Sequence, residues 1–244
     1  MNDLLLTVRE NKPLTETVFK MTLSGEFPEA PRPGQFVNLQ LAGHYLRRPI
    51  SVCDFGDGLL TLLYKVVGQG TAQMREMSAG ETLPALFPLG NGYDLSISGE
   101  TPLLLGGGVG VPPLYLLAKE LIKAGKRPSA ILGFNTEAEV FFEEEFRALG
   151  MDVTIATADG SRGKKGFVTD VLPERYSYFY TCGPEPMLKA VYRAAKTSGQ
   201  FSFEERMGCG FGACMGCSCK TVTGYKRICK DGPVLLKEEI LWEK

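Results

Sequence analysis

The sequence predicts three modules in order: an antiparallel β-barrel, an α/β doubly wound parallel sheet, and a small cysteine-rich domain. Three observations predict it. Residues 1–99 hold short β-prone runs parted by turn residues. Residues 100–200 alternate strand and helix patterns. Residues 201–244 are crowded with cysteine and glycine. At 244 residues, with 44% apolar and 23% charged residues, the chain suits two globular domains plus an appendage.

Leu4–Arg9, Thr15–Leu23, Gln35–Leu41, Ile50–Phe55 and Leu59–Val67 read as strands. Gly25, Pro31-Arg32-Pro33-Gly34 and Gly56-Asp57-Gly58 supply turns between them, as in a barrel or sandwich. Thr71–Met77 reads as a short helix and Thr82–Pro88 as a further strand. From Thr101 the pattern alternates. Strands are expected at Pro102–Leu105, Ala130–Phe134, Asp152–Thr157 and Tyr178–Thr181. Helices are expected from Pro112 to Gly125, over Val140–Leu149 and Phe167–Leu172, and from Pro186 to a stop at Gly199. Such alternation implies a parallel sheet with helices on both faces.

The formal net charge of −1 argues against a nucleic-acid surface. Thr101–Ala118 is uncharged, but its prolines and glycines break it as a membrane span. Met1–Glu10 carries Asp3 and Arg9 and lacks an apolar h-region, so no signal peptide is expected and a cytoplasmic location follows. A single histidine, His44, leaves little room for His-based metal sites or Ser-His-Asp catalysis.

Cys209, Cys214 and Cys217 follow a C-x4-C-x2-C spacing, and Cys229 lies further on. This is the plant-type ligand spacing of a [2Fe–2S] cluster. Gly208, Gly210, Gly212 and Gly216 let the loop turn tightly and bring N–H groups near the sulfurs. A tetrahedral zinc site and a set of free thiols are the competing readings. Cys229 is expected to follow a hairpin over Lys220–Ile228; Cys219 is expected near the cluster but outside its ligand set, and Cys53 reads as a structural strand residue.

Gly107-Gly108-Val109-Gly110 sits between a strand and a helix, where a pyrophosphate can meet helix N–H groups. Cys182-Gly183-Pro184 follows the expected strand Tyr178–Thr181, placing Cys182 where it could pack beside a nicotinamide ring. Arg48-Pro49-Ile50-Ser51 offers a guanidinium and a hydroxyl to phosphate. Leu63-Tyr64-Lys65 leads into Gly68-Gln69-Gly70-Thr71, whose Gly70 and Thr71 N–H groups open the short helix. Read singly, each could be an ordinary strand edge or tight turn.

In this order the motifs resemble the ferredoxin reductase-like flavoproteins. The resemblance implies FAD on the barrel at Arg48, Pro49, Ile50, Ser51, Leu63, Tyr64, Lys65, Gly70 and Thr71, and NAD(H) at Gly107–Gly110 and Cys182–Pro184. Ile50 stands where many members carry Tyr or Phe, so an aliphatic flavin contact is implied. The short cysteine domain, with Cys229-Lys230-Asp231-Gly232-Pro233-Val234, narrows the resemblance to the electron-transfer subunits of dihydroorotate dehydrogenase B. That family implies an iron–sulfur domain with Cys209, Cys214, Cys217 and Cys229 as ligands. It also implies an FMN-containing catalytic subunit that oxidises dihydroorotate to orotate, joined in a hetero-oligomer such as a heterotetramer.

Glu137 and Asp159 suit a ribose hydroxyl and disfavour a 2′-phosphate, while Arg162, Lys164 and Lys165 point the other way; NAD is the preferred cofactor. Two other functions stay open: the small subunit of a ferredoxin- or sulfide-linked NAD(P) oxidoreductase, and a zinc-stabilised adaptor without redox activity.

Overall fold

The computed structural model describes residues 1–242. The amino-terminal runs become β1 (Asn2–Pro13), β2 (Val18–Ser24), β3 (Phe36–Leu39), β4 (Arg48–Gly56) and β5 (Leu59–Lys65). Helix α1 (Gln69–Glu76) and β6 (Thr82–Leu89) follow. The six strands close in the order β1-β2-β5-β4-β3-β6. Alternating side chains such as Leu6, Val8, Met21, Leu23, Leu60 and Leu62 fill the barrel interior.

The alternating region gives β7 (Leu103–Gly107), α2 (Pro112–Lys123), β8 (Ser129–Phe134), α3 (Glu143–Ala148), β9 (Asp152–Thr157), β10 (Lys164–Lys165), β11 (Phe179–Cys182), α4 (Glu185–Ala194) and β12 (Gly199–Ser202). The tail adds the hairpin β13 (Ser218–Thr221) and β14 (Gly224–Arg227), then β15 (Val234–Leu236). The large sheet runs β10-β9-β8-β7-β11-β12-β15, parallel except for β15. Leu114, Leu117 and Phe146 of α2 and α3 cover one face, with Leu104 and Leu132. Leu188 and Val191 of α4 cover the other, with Leu105 and Ile131. The doubly wound arrangement therefore stands. Among the described residues no helix is long and apolar enough to cross a membrane.

Several expected bounds move, for physical reasons. Phe142 adopts a left-handed backbone (φ 64°), so α3 begins only at Glu143 instead of Val140. Phe167–Leu172 contracts to a 3-10 turn over Val168–Val171. Helix α4 ends at Ala194, and Gly199 opens β12 instead of closing a helix. A Cβ at Gly199 would stand 2.3 Å from the Phe179 ring, so glycine is what lets these strands pair.

The division expected at residue 200 falls inside β12, and β15 returns from the tail to the same sheet. Ile228, Leu235 and Ile240 of the tail share a core with Phe36 and Leu89 of the barrel and with Phe179 and Phe201 of the sheet. Helix α2 packs on β4, where Lys119 Nζ lies 2.6 Å from Asp54 Oδ1, and Leu116 enters the barrel core. The three modules interlock.

Candidate cofactor and cluster sites

The barrel is open at one end between two neighbouring strands. β4 pairs with β5 only from Val52 opposite Leu62 to Gly56 opposite Leu59. Arg48–Ser51 pair with β3 alone, and Leu63–Lys65 with β2 alone. The facing edges of these two segments lack a ladder partner, leaving main-chain polar groups along a slot. The Tyr64 ring is 2% exposed and its hydroxyl donates to Asn11 Oδ1 at 3.0 Å, while the Leu63 side chain is 3% exposed. At 63–64 the side chains are buried and the backbone edge lines the slot. Lys65, Pro49, Ile50 and Ser51 are half-buried along the slot.

Arg48 closes one end. A Cβ at Gly70 would lie 2.1 Å from Arg48 Nε, so the guanidinium rests directly over the first turn of α1. Arg48 Nη2 meets His44 Nδ1 at 2.9 Å, and Nη1 donates to the Leu46 carbonyl. The Thr71 hydroxyl serves the turn itself: it accepts from Val67 N–H at 2.9 Å and Gly68 N–H at 3.2 Å and donates to Gly68 O at 3.1 Å. The Thr71 hydroxyl is thus fully engaged within the turn. A guanidinium above free helix-terminal N–H groups is an anion cradle.

At the large sheet, the chain winds outward from β7 through β8, β9 and β10, then returns to β11 on the other side. The switch point lies between β7 and β11, where crevices for ligands form in such sheets. Both glycine motifs meet there. A Cβ at Gly110 would stand 2.2 Å from Cys182 O, and one at Gly107 would stand 3.1 Å from Pro184 Cδ. A Cβ at Gly183 would lie 3.2 Å from Gly107 N. Gly108 takes a left-handed turn (φ 51°), Val109 is 39% exposed, and Pro112 sits in the first turn of α2. Burial pushes the Cys182 thiol up to about 12, so it is neutral at pH 7 and can pack on a ring but not act as a base.

In the tail the thiols stand as two pairs. Cys214 N–H points at Cys209 Sγ at 3.4 Å, and Cys209 N–H points at Cys214 Sγ at 3.4 Å. Cys229 N–H points at Cys217 Sγ at 3.4 Å. Ala213 N–H reaches Cys209 Sγ at 3.2 Å, and Gly216 N–H reaches Cys214 Sγ at 3.5 Å. Cys217 and Cys229 are buried, Cys209 is half-buried and Cys214 exposed. Among the described residues no group of three or more metal-binding side chains is placed to hold one ion. Two pairs can give two thiolates to each metal of a two-iron group, and the C-x4-C-x2-C spacing is the plant-type pattern for such a group. Burial opposes ionisation of Cys209, yet the N–H groups of Cys214, Phe211 and Ala213 and the Cys214 thiol bring it down to about 6. Burial and the adjacent Cys217 push Cys229 up to about 12.

Two residues that the motifs do not mark, Arg227 and Asn38, hold this loop. Arg227 forks onto Asp231 (Nε–Oδ2 2.9 Å, Nη2–Oδ1 3.1 Å) and donates to Gly212 O at 3.0 Å, tying the loop to the Cys229 turn. An Arg-x3-Asp spacing is the faint signal available in the sequence. Asn38, 1% exposed on β3, donates to Cys209 O at 3.4 Å. A Cβ at Gly210 (φ 80°) would fall 2.2 Å from Asn38 Nδ2. Asn38 also lies opposite Pro49, so the cysteine loop and the barrel slot are one strand apart. Cys219 faces elsewhere, into a cleft of about 340 Å³ with Gly183, Pro184 and Trp242.

Full-length relatives decide the family. A protein of Fusobacterium nucleatum described as the electron transfer subunit of dihydroorotate dehydrogenase B (NAD(+)) is 45% identical, covering 96% of each chain. This chain belongs to that family of electron transfer subunits. A member from Geobacillus is also 45% identical, with 97% of each chain covered. Residues 204–241 match the iron-sulfur cluster binding domain of dihydroorotate dehydrogenase B, and residues 104–193 match an oxidoreductase NAD-binding domain. Among solved structures, an NADH-dependent reduced ferredoxin-NADP oxidoreductase superposes with a TM-score of 0.87 at 31% identity, over 97% of this chain and 89% of that chain. The electron-transfer-subunit family thus has the ferredoxin reductase-like fold expected from the motifs.

Proposed function

We propose that the chain is the electron-transfer subunit of an NAD-linked complex that oxidises dihydroorotate to orotate in pyrimidine biosynthesis. Residues 1–99 hold FAD, residues 100–200 hold NAD(H), and residues 201–244 hold a [2Fe–2S] cluster. When bound, these groups carry single electrons from an FMN-containing catalytic subunit and deliver them in pairs to NAD⁺.

The observation that carries the reading is the single strand between the cysteine loop and the barrel slot, bridged by Asn38. The protein's own part is placement. The unpaired edges at Arg48–Ser51 and Leu63–Lys65 orient a flat, hydrogen-bonding ring system. Arg48 and the N–H groups of Gly70 and Thr71 take the diphosphate. Gly107–Gly110 and Cys182–Pro184 receive the dinucleotide beside Cys182, whose neutral thiol packs without competing for a proton. Cys217 and Cys229 face inward and Cys214 faces out, so the surface pair marks where the partner docks. Exposed Phe211 and Met215 flank that point. A ligand set of free thiols also suits the reducing cytoplasm.

Arg162 favours NAD over NADP, because it is ion-paired with Glu143 at 2.8 Å and with Glu137 at 3.3 Å. Lys164 and Lys165 are exposed on β10. The deciding experiment is anaerobic purification with a visible spectrum and partner capture. FAD and [2Fe–2S] absorbance with a co-purifying dihydroorotate-oxidising FMN protein is the expected result. A colourless protein carrying zinc would sink the proposal, and a ferredoxin- or sulfide-linked partner would replace it.

A further inference from the structure

The loop that carries Arg162 has a fixed backbone. Thr157 Oγ1 donates to Arg162 O at 2.8 Å and accepts from Arg162 N–H at 3.1 Å. At Gly163 (φ 70°) a Cβ would stand 2.2 Å from Ile155 O. Ser161 Oγ accepts from Glu137 N–H at 2.7 Å and donates to Asp159 Oδ1 at 2.7 Å, tying this loop to the one after β8. The Arg162 side chain is held by carboxylates of two other segments. Its Nε and Nη2 both lie 2.8 Å from Glu143 Oε2, and its Nη1 lies 3.3 Å from Glu137 Oε1. Glu143 is 9% exposed and also receives Arg147 Nη2 at 2.9 Å, so its carboxylate is held at both oxygens.

These residues stand at the carboxyl ends of β8 and β9, next to the glycine turn of β7. In a doubly wound sheet this is where the adenosine ribose lies, and an arginine there is the group that accommodates a 2′-phosphate. We propose that Glu143 is a specificity-determining residue: by holding Arg162 against α3, it keeps the crevice selective for nucleotides with a free 2′-hydroxyl. The inference rests on the reading of the switch-point crevice as the NAD(H) site. In the intact pairing, a 2′-phosphate meets the Glu137 carboxylate and a guanidinium whose charge is already matched.

The test is calorimetric titration of the full chain with 5′-AMP and 2′,5′-ADP, which needs no turnover. The unaltered chain is expected to prefer 5′-AMP. Glu143→Gln should move the affinity ratio toward 2′,5′-ADP by about tenfold or more, the worth of one freed charge-assisted phosphate contact. Adding Arg162→Leu to that variant should reverse the gain. Glu143→Asp keeps the charge but draws it back one methylene, and should shift the ratio the same way by less. An unchanged ratio in Glu143→Gln overturns the assignment, as does an unchanged ratio in Glu143→Asp should the first variant not fold. A gain that survives Arg162→Leu also overturns it. Failure of the unaltered chain to bind 5′-AMP overturns the crevice reading itself, and the inference with it.

Discussion

A Cβ at Gly70 would meet the Arg48 guanidinium at 2.1 Å, a contact with the movable end of a side chain. Gly70→Ala should therefore leave the fold intact, since alanine is the better helix residue by up to about 1 kcal/mol. The displaced Arg48 should weaken FAD retention about tenfold, read as a higher dissociation constant by fluorescence titration, with no fall in the melting temperature of the flavin-free protein. Unchanged retention would remove Arg48 from the cradle. At this scale the family was legible in residue types that carry their own chemistry, as in Arg48, the glycine turns and the cysteine spacing. A residue was less legible where its role depends on a distant neighbour. Asn38, Arg227 and Glu143 look like ordinary strand, hairpin and helix residues until the fold sets them beside Cys209, Gly212 and Arg162.

The cysteine loop has an inner pair in the core and an outer pair at the surface. Cys214→Ser should leave thermal stability and NADH reduction of the flavin measurable while abolishing one-electron transfer to the partner, followed by stopped-flow spectroscopy. Assembly of a full cluster in that variant would refute the ligand assignment. The elements themselves were largely readable, because strand periodicity and turn chemistry act locally. β12 and β15 were not. β12 has four residues and pairs with β11, while β15 has three and is a strand only because it finds the open edge of β12. Helix α3 begins late for a similar reason, since the Phe142 backbone and the surrounding rings of Tyr115 and Phe141 settle where it can start.

Across the whole molecule, Phe201 lies at the centre of a cluster of rings with Phe179, Tyr192, Phe203 and Trp242. It is fully buried in the core that joins barrel, sheet and tail. Phe201→Ala should cost roughly 3–5 kcal/mol and lower one cooperative melting transition by on the order of 10 °C. A calorimetric trace in which only a minor early transition moves would show the tail to be an independent unit. Asn91, just beyond the barrel, takes part in the same union: its Nδ2 donates to Val234 O at 2.7 Å, and its Oδ1 accepts from Val234 N–H at 3.1 Å. The antiparallel β15 has a consequence for how the protein is made. Cys209, Cys214, Cys217 and Cys229 are synthesised after β12 and before β15, the strand that pairs with its open edge. Until Val234–Leu236 emerges, β12 is a bare edge open to pairing with other chains. Docking those last residues, with Asn91 holding Asp231 O and Val234, covers the sheet edge and anchors the segment that follows Cys229 in one step.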